Sequence, residues 1–543
     1  MKRPANRTLS ILLALSLSQG AKAQSVLVLE GESLPGVGTV TSIENLAVDS
    51  SGRWWVEVDT TGGPAILRDG AVYLTEGDLV SDPPGATVRS FDAVGSTDGG
   101  DVLYSVLLDN TPGGTSDDDA VYWNDTLVLR AGDAVGAMGV GMGTLHSNIA
   151  DVQVTGNRKV LVRGFFDDPN VPGTTDFFCL LLELDATGAI LSETRIAGEG
   201  DVPPGQSLVI NTIRTGSHAA AVNALGEVIW CADLDTASLP GDAIVYLGNT
   251  VLAQEDQPTG FGAIWDDLVS PEVDLNEAGD WTIKDRADGD NIIVRNGQSF
   301  RREGDSLPDI APFTFEYFGN GPADLTQDGR VLWFGRWSDP DSDRDEGLFL
   351  EDELIVQEGV SVIGGWLVND VGDQSDNYRV SPNGEWILFE ASVDDGGVTR
   401  EGAFLVDVAL GVNYCISVAN STGQAASISG TGSASVLQND LLLSAGPIPA
   451  GQPGLFFYGP ETTLVPFGNG FRCIGGVPLA RLAVEATNAG GVLQHALDNT
   501  LPPTAASAIQ PGSTWYFQAW FRDPAGAGQV FNLSDGLELM FLP

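Results

Sequence analysis

The sequence has little positive charge. It contains 26 Lys and Arg residues against 74 Asp and Glu residues in a length of 543. Residues 1–23 hold four basic residues and no acidic one, so the remainder carries 22 basic against 74 acidic residues, a formal net charge of −52. Binding to nucleic-acid phosphates or to an anionic membrane surface requires clustered cations. The charge therefore excludes a phosphate-tracking nucleic-acid binder and a basic membrane-surface protein.

Cysteine, histidine and long apolar runs are also scarce. Four cysteines cannot form a disulfide-dense scaffold in a chain of this length. The three histidines, His146, His218 and His495, are too far apart in sequence for a local metal-binding motif. No run after residue 23 approaches the roughly 20 apolar residues of a membrane-spanning helix, so no transmembrane segment is expected. Because 43% of the residues are apolar, a disordered chain is excluded and stability must come from buried apolar surface.

No common catalytic motif occurs in the sequence. It lacks a Gly-x-Ser-x-Gly elbow, a His-Glu-x-x-His helix, a phosphate-binding loop and a Cys-x-x-Cys pair. Carboxylate pairs could support glycoside hydrolysis, but acidic residues are so abundant here that pairs arise by chance. We therefore expect no catalytic and no cofactor-binding residues.

The first 23 residues have the three parts of a secretory signal. A basic start precedes an apolar run from Leu9 to Leu17, and Ala21-Lys22-Ala23 precedes Gln24. The apolar run is too short to span a bilayer. We expect cleavage after Ala23 and a secreted, extracellular or cell-envelope location, where disulfides can form.

Two short phrases alternate along the first 410 residues. The first is an apolar strand that ends in an acidic-Gly-acidic turn, and its seven copies end at residues 30–32, 76–78, 131–133, 199–201, 255–256, 303–305 and 358–359. The second is a polar-Gly turn followed by an alternating apolar strand, with glycines at positions 52, 99–100, 156, 226, 279, 329 and 384. Glycine suits such turns because tight hairpins need a positive φ.

Each unit reads as four short strands without helical periodicity, which is typical of a β-propeller blade. The chain opens with a fourth strand at residues 25–29, and the seventh unit ends after its third strand at residues 403–406. We therefore expect an all-β, seven-bladed β-propeller over residues 24–410 that is closed by the N-terminal strand, because closure removes an exposed sheet edge. An open array of β-repeats is the alternative.

The polar-Gly turns resemble those of a family of exported bacterial tandem-repeat proteins with an Asn-x-x-Gly-x-x-x-Phe signature. Asn223 with Gly226 and Asn276 with Gly279 keep the Asn and the Gly, whereas other copies have Ser or Asp near that position and often Trp or Leu in place of Phe. The resemblance implies an architecture and no catalytic residues.

Residues 411–543 lack the repeat and contain strand-like apolar runs separated by Gly- and Pro-rich turns, which predicts a β-sandwich. In an exported protein we expect Cys415 and Cys473 to form a disulfide. Cys179 and Cys231 each lie in an apolar strand and are expected to be buried thiols.

The aromatic runs of this segment, at residues 456–460, 465–473, 515–524 and 531–536, resemble a recurrent C-terminal module of large exported bacterial proteins. The resemblance includes both cysteines of the expected disulfide and implies an envelope or secretion-associated location. These aromatic residues are predicted to be core, because they recur at alternating strand positions.

In a β-propeller, the turns between strands two and three and the turns between strands four and one lie on the same face. Both of these turn classes are rich in Asp and Glu here. Negative charge should therefore gather on one rim. The densest run is 339–346, in which alternating carboxylates resemble the first half of a calcium loop. The candidate metal ligands, for Ca²⁺, are Asp339, Asp341, Asp343 and Asp345. Arg344 stands where a calcium loop has Gly, and Leu350 where it has a bidentate Glu, so a solvated acidic loop is the alternative.

We expect a monomeric, non-catalytic protein for binding or display at the cell envelope or outside the cell, with the acidic rim as its surface and a protein or polysaccharide as its ligand. A propeller-type polysaccharide hydrolase or lyase is the alternative, and it predicts convergent Arg, His or carboxylate groups with shifted pKa values in one deep pocket. A third interpretation is that the acidity serves only solubility.

Overall fold

The computed structural model describes residues 24–541, apart from 135–144, 167–175, 236–240, 432–433, 437–438 and the positions 215, 217, 267, 269, 395, 409, 435, 440, 489 and 527. The described chain is all-β, with two 3₁₀ turns at Gly114–Ser116 and Ala505–Ser507. It divides into two compact units between Val408 and Ala409. No described helix could cross a membrane. The predicted signal peptide lies outside the described residues.

Seven antiparallel sheets make up the described part of the first unit, and we number them I to VII in chain order. The N-terminal strand is β1 (Gln24–Leu29). Sheet I contains β2 (Ser33–Leu34), β3 (Gly38–Val48), β4 (Trp54–Thr60), β5 (Ala65–Arg68) and β6 (Ala71–Thr75). Sheet II contains β7 (Thr87–Ser96), β8 (Val102–Asp109), β9 (Asp119–Trp123) and β10 (Thr126–Arg130). Sheet III contains β11 (Leu145–Val154), β12 (Lys159–Phe166), β13 (Asp176–Leu184) and β14 (Ile190–Gly198).

The remaining sheets follow the same order, but in sheets IV, VI and VII two short segments share the place of the first strand. Sheet IV contains β15 (Ile210–Ile213), β16 (Ala220–Val222), β17 (Val228–Leu234), β18 (Ala243–Leu247) and β19 (Thr250–Gln254). Sheet V contains β20 (Glu272–Leu275), β21 (Trp281–Ala287), β22 (Asp290–Arg295) and β23 (Gln298–Arg302). Sheet VI contains β24 (Phe315–Tyr317), β25 (Asp324–Leu325), β26 (Val331–Trp337), β27 (Glu346–Leu350) and β28 (Glu353–Gln357). Sheet VII contains β29 (Val362–Ile363), β30 (Trp366–Val371), β31 (Tyr378–Val380), β32 (Trp386–Asp394), β33 (Thr399–Asp407) and β1.

The N-terminal strand β1 is the outer strand of sheet VII. It runs antiparallel to β33, with Val26 opposite Phe404 and Leu29 opposite Gly402. A Cβ atom at position 402 would lie 2.9 Å from the carbonyl oxygen of Val28, closer than real Cβ atoms approach. Glycine at this position therefore permits the close pairing of the two strands.

Each sheet is buried on both faces, because successive strand residues point to opposite sides and fill different cores. Ile387 packs in the core between sheets VI and VII, and the next residue, Leu388, packs in the core between sheets VII and I. Comparable apolar clusters lie between each of the other consecutive sheets. The first strands also contact one another in order, β3, β7, β11, β16, β20, β25 and β31, and β31 contacts β3.

The polar-Gly turns add hydrogen bonds between neighbouring sheets. The side chain of Asn276 accepts hydrogen bonds from the amides of Ala278 (3.0 Å) and Asp280 (2.9 Å) in its own turn and donates to the carbonyl of Thr326 (3.0 Å) in sheet VI. Asn223 of sheet IV accepts from the amides of Leu225 and Glu227 and donates in the same way to the carbonyl of Asn276 in sheet V (3.3 Å). In these two turns the asparagine thus orders its own hairpin and binds the turn of the next sheet.

The second unit contains ten described strands in three sheets. The strands are β34 (Val412–Tyr414), β35 (Ser427–Thr431), β36 (Leu442–Gly446), β37 (Pro453–Gly459), β38 (Glu461–Phe467), β39 (Gly470–Gly475), β40 (Ala480–Ala486), β41 (Leu493–Ala496), β42 (Thr514–Arg522) and β43 (Phe531–Met540). The sheet orders are β34-β43-β42-β37-β40, β35-β36-β41 and β38-β39. The five-stranded and three-stranded sheets share one core, which includes Phe456 and Phe517 from the first and Ile428 and Leu443 from the second.

The cysteines behave as predicted. A disulfide joins Cys415, just after β34, to Cys473 in β39. Cys179 and Cys231 are buried thiols. Cys179 packs in the core between sheets III and IV, and Cys231 in the core between sheets IV and V, so the two side chains face opposite sides of sheet IV.

Candidate functional site

The two acidic turn classes meet at one end of every sheet of the first unit. In each sheet, the amide that follows the fourth strand donates a hydrogen bond of 2.8–3.1 Å to a carbonyl at the start of the third strand. The donor and acceptor pairs are Glu30 and Glu401, Glu76 and Pro64, Ala131 and Asp119, Glu199 and Phe177, Glu255 and Ala243, Glu303 and Asn291, and Glu358 and Glu346. In each of the seven sheets, this hydrogen bond holds the turn after the fourth strand next to the turn before the third strand.

Arginines compensate carboxylates at several of these ends. The ion pairs are Arg89 with Asp118 (3.0 Å), Arg130 with Asp117 (3.7 Å), Arg195 with Asp201 (3.0 Å), Arg214 with Asp233 (2.9 Å) and Arg302 with Asp290 (2.7 Å). Each of these pairs cancels charge locally. The negative charge of the predicted rim is therefore unevenly distributed.

Sheet VI carries a cluster of three carboxylates that we call the acidic cluster: Asp345, Glu346 and Glu358. One side-chain oxygen from each lies within 4.8 Å of the other two. Asp345 and Glu346 come from the turn before β27 and the start of that strand, and Glu358 follows β28 directly. The guanidinium of Arg336, which acts on Asp345, lies over the ring of Tyr317 at 5.0 Å.

Burial and mutual repulsion raise the pKa values of this cluster. Burial, followed by repulsion from Glu346 and Asp345, raises the pKa of Glu358 to about 8. Burial and then Asp370 raise the pKa of Glu346 to about 7. Burial also raises the pKa of Asp345, although Arg336 opposes this change. Ionisation of all three groups therefore needs a compensating positive charge.

Glu358 differs from the residues at the same position in other repeats. Glu199 accepts a hydrogen bond from the amide of Phe177 (3.4 Å), Glu255 accepts from the amides of Gly241 (2.8 Å) and Asp242 (3.1 Å), and Glu303 accepts from the side chain of Asn291. The side chain of Glu358 is buried, and among the described residues its Oε2 atom has no hydrogen-bond partner. Glu199, Glu255 and Glu303 thus accept hydrogen bonds, whereas the side chain of Glu358 lies beside the carboxylates of Asp345 and Glu346.

The four predicted calcium ligands take different positions. Asp339 and Asp341 flank the guanidinium of Arg344, at 3.3 and 3.4 Å. Asp343 is exposed, and only Asp345 belongs to the acidic cluster. Sequence reasoning missed Glu358 as a candidate, because it lies in a different turn. The alternation of the two repeated motifs is the sequence signal that could have predicted that Glu358 lies beside Glu346.

A second group of titratable side chains lies on and near the first strands of sheets V to VII. Lys284 is opposite Glu272 in the ladder of β20 and β21, and its Nζ donates to the carbonyls of Phe318 (3.4 Å), Gly319 (2.9 Å) and Gly321. Burial lowers the pKa of Lys284 to about 8 and raises the pKa of Glu272 to about 7. This group, which we call the inner cluster, also includes Asp324, whose pKa burial raises to about 7.

Most polar atoms around the inner cluster bind backbone groups of other sheets. His218 lies 3.0 Å, through Nε2, from the carbonyl of Ser375, and burial lowers the pKa of its ring. Arg379 donates to the carbonyl of Ser375 (2.8 Å) and to Asp376 (3.1 Å). The Oε2 atom of Glu272 is buried and has no hydrogen-bond partner among the described residues. His146 lies in β11, and nothing is described of its side chain.

No protein-family model matches the chain, and no curated protein matches it in sequence. Among solved structures, TolB from Acinetobacter baumannii has a TM-score of 0.29 at 14% identity, covering 67% of this chain and 78% of that one. An N-acetylgalactosamine deacetylase from F. plautii has a TM-score of 0.22 at 9% identity, covering 71% and 95%. A tetra-tandem repeat from the extending region of a large adhesion protein has a TM-score of 0.14 at 11% identity, covering 92% and 91%. Similarities this weak assign neither a fold nor an activity.

Proposed function

We propose that the protein is an exported, non-catalytic binding or display protein of the cell envelope or extracellular space, monomeric, and related to the exported tandem-repeat proteins. Its first unit would be a closed seven-bladed β-propeller, and its second a β-sandwich. The seven consecutive sheets, the core between sheets VII and I, and the contact of β31 with β3 support a closed ring. The disulfide between Cys415 and Cys473 supports an oxidising, exported location.

The acidic cluster carries the proposal of binding. Asp345, Glu346 and Glu358 lie together, and Asp370 adds further negative charge to them. Uncompensated charge of one sign raises the local concentration of oppositely charged partners and speeds their association. The ligand class that fits is cationic: a basic segment of a protein, or a polysaccharide that carries amines.

Binding of cationic probes to residues 24–543 tests this function. We expect an oligoarginine peptide and a dextran with quaternary amines to bind in EDTA at about pH 9, where the carboxylates of pKa about 7 and about 8 are ionised. Binding should weaken with added salt, and plain dextran should not bind. Glu346→Gln should reduce binding.

The matched control is Asp290→Asn, which removes the same charge from a carboxylate that Arg302 already pairs. We expect this variant to bind as the wild type does. Equal binding by wild type and Glu346→Gln would contradict a role for the acidic cluster.

A polysaccharide hydrolase or lyase is a second candidate, and the inner cluster favours it. Glycoside hydrolysis uses two carboxyl groups, one of them an acid with a raised pKa, and Glu272 and Asp324 both have pKa values raised to about 7. Their neighbours Lys284 and Arg379 are bound to backbone carbonyls, which favours a structural role. Activity of the wild type on a panel of neutral and acidic polysaccharides, lost in Glu272→Gln, would replace the non-catalytic proposal.

A further inference from the structure

We propose that Asp345, Glu346 and Glu358 bind a divalent cation, Ca²⁺, between the turn before β27 and the turn after β28. This inference rests on the proposed function, because it names a ligand of the same acidic cluster. It replaces the loop 339–345 as the metal site with residues from two turns. The cation would lie at the end of sheet VI where the turns meet.

The spacing of the carboxylates fits one ion. Calcium binds oxygen ligands at about 2.3–2.6 Å, so two oxygens on the same ion lie up to roughly 5 Å apart. The nearest oxygens of the three side chains are within 4.8 Å of one another. All three ligands are carboxylates, which suit Ca²⁺ or Mg²⁺ rather than the softer metals that prefer nitrogen and sulfur. Calcium tolerates the irregular geometry of ligands from two turns better than magnesium does.

Glu358 provides independent support for a ligand. Its side chain is buried, and its Oε2 atom has no hydrogen-bond partner among the described residues. A buried carboxylate oxygen normally has a donor or a cation beside it. The equivalent Glu255 has two amide donors, at 2.8 and 3.1 Å. Glu358 therefore lacks the donor that Glu199, Glu255 and Glu303 have at the same repeat position, and a cation would take that place.

The backbone already holds the ligands in position. The amide of Glu358 donates to the carbonyl of Glu346 (3.1 Å), and the amide of Trp337 donates to the carbonyl of Asp345 (2.8 Å). The further carboxylates that act on these groups are Glu316, Asp339, Asp343, Asp370 and Asp373, and Arg336 is the cation that acts on Asp345. A site fixed by the ladder of sheet VI needs little reorganisation to bind an ion.

Calorimetric titration of CaCl₂ into EDTA-treated, dialysed residues 24–543 tests the site, with melting temperatures measured in parallel. We expect wild type to bind one Ca²⁺, and Glu358→Gln and Glu346→Gln to weaken binding by roughly tenfold or more. Asp341→Asn is the matched control and should bind as wild type does, because Asp341 pairs with Arg344. Circular dichroism in EDTA shows whether each variant is folded, and two separate ligand variants keep the test valid if one is not.

Three outcomes would overturn the inference: no calcium binding by wild type, unchanged affinity in both folded glutamine variants, or a loss of affinity in Asp341→Asn alone. An equal response to MgCl₂ at the same concentration would overturn the assignment of Ca²⁺. If calcium does not bind while the cationic probes still bind in EDTA, the inference fails and the proposed binding function remains.

Discussion

At the scale of the residue, the asparagine of the polar-Gly turn has two roles where it occurs. The side-chain oxygen of Asn276 accepts from two amides of its own turn, and its amide group donates to the next sheet. The sequence predicted the turn but not this second role, because the partner Thr326 is 50 residues away. The sequence pattern also predicted the wrong residue for the positive φ angle of one turn. In the polar-Gly turn of the third repeat, the residue with a positive φ is Arg158 (58°) and not Gly156.

Replacing Asn276 should destabilise the first unit. Asn276 is buried, and Asn276→Ala leaves two amides and one carbonyl without the side chain that binds them, so we expect a loss of about 2–3 kcal/mol in the free energy of unfolding. Urea titration followed by tryptophan fluorescence measures it. Asn249→Ala, at an exposed position, should change stability by less than about 0.5 kcal/mol. Equal effects of the two substitutions would contradict the linking role.

Glu358 predicts a pH dependence of stability. Its pKa is about 8 in the folded chain against an ordinary value of 4.5, so the folded state binds the proton more tightly. The stabilisation is complete below about pH 4.5 and is lost as the pH rises through about 8. In EDTA, the melting temperature of wild type relative to Glu358→Gln should therefore fall between those values. A constant difference between the two proteins would show that the carboxyl is not buried in this way.

At the scale of the element, the number and order of the strands could be predicted from the sequence, but the division of some first strands could not. Seven units of four strands follow from alternating apolar residues and glycine turns, and the described sheets have this order. The sequence did not predict that the first strands of sheets IV, VI and VII are divided into two segments. The interruption in sheet VI is held by Lys284, which binds the carbonyl of Gly319 from sheet V. Such a contact between distant residues leaves no periodic signal.

The pairing of β1 makes Val28 sensitive to substitution. Val28 is 1% exposed and packs in the core between sheets VII and I, so Val28→Asp buries an unpaired charge there. We expect a loss of more than about 4 kcal/mol, measured by urea titration. Ser25→Asp, at an exposed position of the same strand, should cost less than about 0.5 kcal/mol. A loss of less than about 0.5 kcal/mol in both variants would mean that β1 does not pack in this core.

At the scale of the whole molecule, composition predicted the sign of the surface charge but not its distribution. A net charge of −52 after residue 23 indicates an acidic rim, and the arrangement of Arg residues decides where that charge remains. Arg195 pairs with Asp201 six residues away, whereas Arg89 pairs with Asp118, 29 residues away in another turn. The acidic cluster could not be identified from the sequence alone, because it depends on which carboxylates lack such a partner.

Loss of the disulfide between Cys415 and Cys473 should lower the stability of the second unit and not that of the first. The disulfide lies within the second unit, so Cys415→Ser with Cys473→Ser should lower the stability of that unit by about 2–5 kcal/mol. Calorimetric melting should show one transition moved to lower temperature and the other unchanged. The buried thiols supply the control, since Cys231→Ala should move the transition of the first unit instead. A uniform shift of both transitions in the double serine variant would contradict this independence.

The pairing of β1 with β33 sets an order of events during biosynthesis. Residues 24–29 are made long before residues 399–407, and in the described sheet β1 pairs only with β33, so it has no partner strand until β33 is present. Until then, the early strand keeps unpaired amides and carbonyls, which invite contact with other chains and recognition by chaperones. A fragment that ends before residue 399 therefore leaves the strand edges of both β1 and β32 unpaired, and β33 covers both edges once it has been made.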